Sequence, residues 1–288
     1  MPQAITFVDS SNVIDGSSGN LPLIRVENSL GCALIALQGA QVLSFQPKNA
    51  QEMLWISPKA NFAPGIPLRG GIPLSIPWFA FHNDDLPVHG FVRTESWTLA
   101  SQGTADDEST WLELELKDSA QTRAWWGGPF RIVHTIRVGR ELRLELAIHN
   151  DSPAPVRLES VWHSYFAIGA IDKVGIMGLD GCPGIDKNRD RSRFVHYGKL
   201  RVQGPTDLIF PRVPAIQVLE RSQGAIQVAS SCQGAVVCNH WNMDSLIDDL
   251  GEGSHCHFVC LERGDLDETA IDLAGNSVHR AWMRLSPA

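Results

Sequence analysis

Apolar and polar residues alternate along much of the chain. In "WLELELKD" the leucines Leu112, Leu114 and Leu116 fall on one face, and Glu113, Glu115 and Lys117 on the other. That period of two is the signature of a half-buried strand. "RELRLELAIHN" repeats it with Leu142, Leu144, Leu146 and Ile148, and follows "FRIVHTIRV" across a turn near Gly139-Arg140, which predicts a β-hairpin. Further strands are predicted in "LIRVEN", "ALIAL", "QVLSF", "SWTLAS", "APVRLES", "AIQVASS", "AVVCNHW" and "HFVCLE". Helical patterns are few. "SAQTRAWW" has room for one or two turns, and "MDSLIDDL" reads as a short amphipathic helix ended by Gly251. Strands do not alternate with helices, so a parallel βαβ sheet is not expected. Residues 1–288 show neither a fixed repeat nor a linker, and the expectation is a single all-β domain, an antiparallel sandwich of large type with few short helices.

Composition narrows the function. The chain has 288 residues, 43% hydrophobic and 19% charged, with a net charge of −8. That charge disfavours nucleic acid and anionic membrane surfaces as partners, while leaving room for a small anion gripped by a local cationic pair. No apolar run approaches the ~20 residues of a membrane span, and the N-terminal stretch lacks a basic-then-apolar signal pattern. Six cysteines without a CxxC pair predict reduced, mostly buried thiols in a cytoplasmic protein. Most of the nine tryptophans are expected in the core.

The stretch "RGGIPLSIPWFAFHNDDLPVHGFVR" opens on Arg69 and closes on Arg93. Three prolines stiffen it, so two guanidinium forks at its ends can converge on one phosphate or carboxylate, or simply stand on the surface. His89 precedes Gly90 in a tight turn, and either faces a ligand or bonds a nearby carbonyl. His163, flanked by Val161, Trp162, Tyr165 and Phe166, is either a packed core histidine or a general acid–base group in a dry cleft. Glu262 ends an apolar face with Cys256, Phe258 and Cys260; burial there would raise its pKa and make it a better base, unless it turns to solvent. His255-x-His257-x4-Glu262 also looks like half of a cupin metal motif, but in a plain strand Glu262 lies on the face opposite both histidines.

Taken in order, "RGGIPLSIPWF", "LPVHGFVR", "TRAWWGGPF", "VWHSYFAIG", "PTDLIF", "HWN" and "FVCLERG" resemble the motifs of the aldose 1-epimerase (mutarotase) superfamily, and within it the hexose-6-phosphate mutarotases. The resemblance spans roughly residues 25 to 285. It implies a β-supersandwich, Glu262 as general base, His163 as general acid, and Asp207 holding sugar hydroxyls. Arg69 and Arg93 are implied to bind the substrate and its 6-phosphate, with His89 and Trp78 set near the sugar ring. It implies no metal and no cofactor, and the expected protein is a monomer acting on a small sugar phosphate. The chain departs from the family's pattern at Val88, where some members have glutamine, at Asn242-Met243-Asp244, and at Arg263 after the glutamate. Alternative readings are an epimerase of a non-phosphorylated sugar, a non-catalytic sugar-binding relative, and a cupin-like metalloenzyme.

Overall fold

The computed structural model describes residues 4–14 and 19–288. Two eight-stranded sheets carry most of the strands, with a four-stranded sheet and a two-stranded ribbon alongside. The expected antiparallel, strand-dominated architecture holds, and among the described residues helices are confined to Ser10–Val13, Ala120–Trp126 and short 3-10 turns.

One eight-stranded sheet contains the expected hairpin. Phe130–Val138 pairs with Leu142–Asn150 across the turn at 139–141. Leu112, Leu114, Leu144 and Ile148 are fully buried, as their alternation requires, while Glu145 on the opposite face is exposed. The neighbour of Leu142–Asn150 on its other side is Ser277–Pro287, a strand the hydrophobic pattern did not reveal. Its accessibility alternates from the start, but the buried apolar residues, Ala281, Met283 and Leu285, all fall in its second half, and Val278 is on the exposed face.

"SAQTRAWW" forms the helix Ala120–Trp126. Ser119 and Thr122 make a reciprocal capping box, and Gly127 ends the helix in the left-handed conformation. The helix expected at 243–250 does not form. The segment is a 3-10 turn, Trp241–Leu246, and the chain then leaves the helical path, so that Leu246 is 76% exposed and Leu250 is fully buried. A helix would have put both on one face.

"APVRLES" also splits. Val156–Leu158 pairs with Ile271–Leu273, and Ser160–Trp162 joins the second large sheet. The break is Glu159, whose carboxylate accepts the backbone N–H groups of Phe79 and Asp267, each at 2.7 Å. Two loops are thereby tied to one carboxylate.

The second large sheet runs in the spatial order Ser192–Val195, Pro183–Asp186, Thr206–Phe210, Gly234–Asn239, Phe258–Asp265, Ser160–Trp162 and Leu74–Ser75; Tyr165–Ala167 also pairs with Phe258–Asp265. The short strand Leu74–Ser75 anchors the proline-rich loop, which then turns back at His89 and Gly90, both with positive φ. Gly90 is required there, because a Cβ would fall 1.8 Å from the carbonyl oxygen of Ile76.

Candidate active site

A single register row across the second sheet assembles the site. Asp207 pairs with Cys238, Cys238 with Cys260, and Cys260 with Tyr165. Cross-strand partners project to the same face, so four strands send one side chain each into one recess. Glu262 lies two residues beyond Cys260 and shares its face. His163 enters from the interruption between Ser160–Trp162 and Tyr165–Ala167, where its backbone N–H donates to the carbonyl of Pro73 at 2.9 Å.

The result is a buried contact between His163 Nε2 and Glu262 Oε1 at 3.4 Å. The remaining polar atoms, His163 Nδ1 and Glu262 Oε2, are buried without a hydrogen-bond partner. Such groups are rare in native interiors and point to a reacting or ligand-binding role. Burial pushes the Glu262 carboxyl well above the usual carboxylate range; the negative charge of Asp207 adds to this, and Lys187 opposes it. Burial pushes His163 well below the ordinary imidazole range, helped by His89, Arg69 and Arg93. Both groups are thus driven toward their neutral forms, with one proton to exchange between them.

Cations gather around this pair. Arg69 donates to the hydroxyl of Tyr165 at 3.1 Å and forms an ion pair with Asp249 at 3.0 Å. Arg93 donates to the carbonyl of Val88 at 2.7 Å, but its Nε is buried without a partner, and among the described residues no carboxylate pairs with it. Burial is the main cause that brings Arg93 down to about 10. His89 receives the backbone N–H of Ala80 on Nδ1 at 3.2 Å, which leaves the Nε2 proton as a donor, and its ring stands edge-on to His163 with centroids 5.2 Å apart. Burial, then Arg93, Lys187 and Arg69, hold His89 down at about 3.

Asp207 lies half-buried beside Lys187, whose Nζ reaches its Oδ2 at 2.7 Å and sits 5.9 Å above the Phe79 ring. Sequence reading missed Lys187, Tyr165 and Asp249. Nothing local marks them, since each gains its meaning from a strand or loop distant in sequence.

Trp78 does not join the cluster. Its Nε1 donates to the carbonyl of Pro87 at 2.8 Å, its ring stacks on His82, and it lines a separate groove with Trp125, Trp126 and Arg157. Proline-flanked Trp78 is held by the loop's own backbone, which turns the indole away from the recess. Arg263 also leaves the site: alternation sends it to the other face of the strand, where it is fully buried and donates to the carbonyls of Gly234, Ala215 and Cys232. The cupin-like set His255, His257 and Glu262 does not gather, because His255 lies in the 3-10 turn Ser254–Cys256, before the strand begins. Among the described residues the metal-ligating atoms that converge are those of His163, Cys260 and Glu262.

A neutral carboxyl and imidazole facing one another can pass a proton to and from a bound molecule. The family model described as Aldose 1-epimerase matches residues 22–286, and the chain belongs to that family. It is 38% identical over 251 residues to a Salmonella typhimurium protein named "Putative glucose-6-phosphate 1-epimerase", covering 84% of this chain and 83% of that protein. An Escherichia coli K12 protein of the same name is 31% identical over 255 residues, covering 86% and 85%. A crystal structure of a "putative mutarotase" from Salmonella typhimurium superposes with a TM-score of 0.86 at 30% identity, over 93% of this chain and 90% of that one. Galactose 1-epimerase from Lactobacillus acidophilus shares the fold, with a TM-score of 0.68 at 14% identity over 98% of each chain. No helix among the described residues is long and apolar enough to cross a membrane.

Proposed function

We propose that this epimerase interconverts the α and β anomers of a hexose 6-phosphate. The observation that carries the phosphate is Arg93, a withdrawn guanidinium with a free Nε and no carboxylate beside it. Tyr165 and Asp249 offset its burial only in part, so an anion reaching the guanidinium would favour the charged form further. Arg69, already ordered by Asp249 and Tyr165, supplies the second fork.

Ring opening requires a base for the O1 proton and an acid for the ring oxygen. Glu262 takes the first role and His163 the second; the C1–C2 bond then rotates, and the two groups exchange roles as the ring closes on the other face. Asp207 and the Nε2 proton of His89 hold sugar hydroxyls. At opening the proton has to sit on His163, which burial chiefly, then His89, Arg69 and Arg93 disfavour in the free enzyme. A phosphate dianion between the arginines offsets their part of that opposition, so the substrate itself helps to ready the acid.

A monomer in the cytoplasm belongs to the same reading, and the six cysteines, all free thiols, support a reducing compartment. The test is anomer exchange followed by NMR, on glucose 6-phosphate and on glucose, after subtraction of the spontaneous rate. A large preference for the phosphate ester is expected. Equal kcat/KM for the two sugars overturns the phosphate reading and leaves an aldose 1-epimerase.

A further inference from the structure

We propose that the recess is also a Zn²⁺ site, held by His163, Cys260 and Glu262, and that zinc bound there inhibits the enzyme. One ring nitrogen of His163, Sγ of Cys260 and one carboxylate oxygen of Glu262 all lie within 4.8 Å of one another, and all three residues are buried. Zinc bonds of about 2.0–2.3 Å place tetrahedral ligand atoms roughly 3.5 Å apart. The three donors therefore have to close from within 4.8 Å to that spacing, by up to about 1.3 Å, through side-chain rotations.

The donor set selects the metal. An imidazole, a thiol and a carboxylate are the N, S and O ligands zinc takes, whereas calcium and magnesium want oxygen throughout. The ligand charges balance the metal's, against the repulsion of Arg69 and Arg93 nearby. Thiolate and carboxylate together neutralise a dication, so the loaded recess carries no net charge from the metal and these ligands. His163 is neutral, so a nitrogen lone pair is available without loss of a proton. Binding expels the thiol proton of Cys260, and that of Glu262 where present, to solvent. The carboxylate oxygen Glu262 Oε2, buried with no hydrogen-bond partner, is a second sign that the recess is built to receive a ligand. The fourth position stays open to water or to a sugar hydroxyl.

Of the three ligands Cys260 alone has no part in the proposed ring opening, so its substitution reports on the metal site. The inhibition, though not the binding, rests on reading His163 and Glu262 as the reacting pair. The experiment titrates chelator-treated protein with Zn²⁺ by calorimetry, with Co²⁺ as a spectroscopic probe, and measures anomer exchange alongside. One zinc per chain, a sulfur-to-cobalt charge-transfer band and loss of activity restored by chelation are expected. Cys260→Ala should bind zinc roughly tenfold or more weakly, having lost one of three ligands, and whatever rate it retains should be correspondingly less sensitive to zinc. Cys260→Ser serves where alanine leaves a destabilising gap. Absence of binding, or zinc affinity unchanged in both variants, overturns the site. Cys260-dependent binding that leaves the rate untouched overturns the inhibition and, with it, the role of the His163–Glu262 pair.

Discussion

His163 Nε2 lies 3.4 Å from Glu262 Oε1, with both side chains buried and with the other polar atom of each left without a partner. Removing either group takes away the acid or the base. Glu262→Gln keeps the shape of the side chain and should lower kcat by roughly 100-fold or more, the scale of general-base loss. His163→Ala should do the same. Near-normal exchange by a folded variant, seen by polarimetry, removes that residue from the mechanism.

On the proposed phosphate reading, Arg93 sets the preference between sugars. Arg93→Ala should lower kcat/KM for the 6-phosphate roughly ten- to a hundredfold, the worth of one charge-assisted hydrogen bond, and affect the free hexose little. Arg93→Lys should recover only part of this, because the ammonium keeps the charge and loses the fork. Two arginines unrelated to the substrate would give small, equal effects on both sugars.

Arg69 and Arg93 help to hold His163 low in the free protein. Neutralising them should raise its pKa. Histidine NMR signals followed against pH, with and without a saturating hexose 6-phosphate, should show His163 titrating higher in the complex. A value that stays put or falls contradicts the idea that the substrate prepares the acid.

His134 gives an acid-stability prediction. Fully buried, it contacts the carbonyl of Ala40 through Nδ1 at 3.2 Å and receives Trp162 Nε1 on Nε2 at 3.5 Å, and burial holds it at about 4. The unfolded chain takes up this proton near pH 6.5, the folded protein only near 4. The stabilisation is therefore present above about pH 6.5 and is lost as pH falls toward 4, by roughly 3 kcal/mol at most. Thermal melts should show Tm falling through that window, with a shallower slope for His134→Gln. Equal slopes would assign the acid sensitivity elsewhere, His89 being the next group to examine.

Much of the strand architecture was legible locally. The alternation at Leu112–Leu116 and Leu142–Ile148 predicts strands because side chains on a strand alternate between faces, and one face here is buried. Ser119 and Gly127 bracket a helix through caps that depend only on near neighbours. Where a tertiary partner intervened, local reading failed: Glu159 breaks a predicted strand to bind two loops, and Leu250 is drawn into the core away from Leu246.

The site divides in the same way. His163, Glu262, Arg69, Arg93, His89 and Asp207 stand in motifs that the chain carries in order, so roles for them could be proposed from the sequence alone. Their meeting could not, nor could the turning away of Trp78 or the entry of Lys187, Tyr165 and Cys260. Those follow from one row of register, Asp207 beside Cys238, Cys238 beside Cys260, Cys260 beside Tyr165. Alternation states which residues share a face of their own strand. Which strand lies next to it, and in what register, is set by pairing between segments far apart in the chain, and a shift of one residue would have turned Glu262 to the other face.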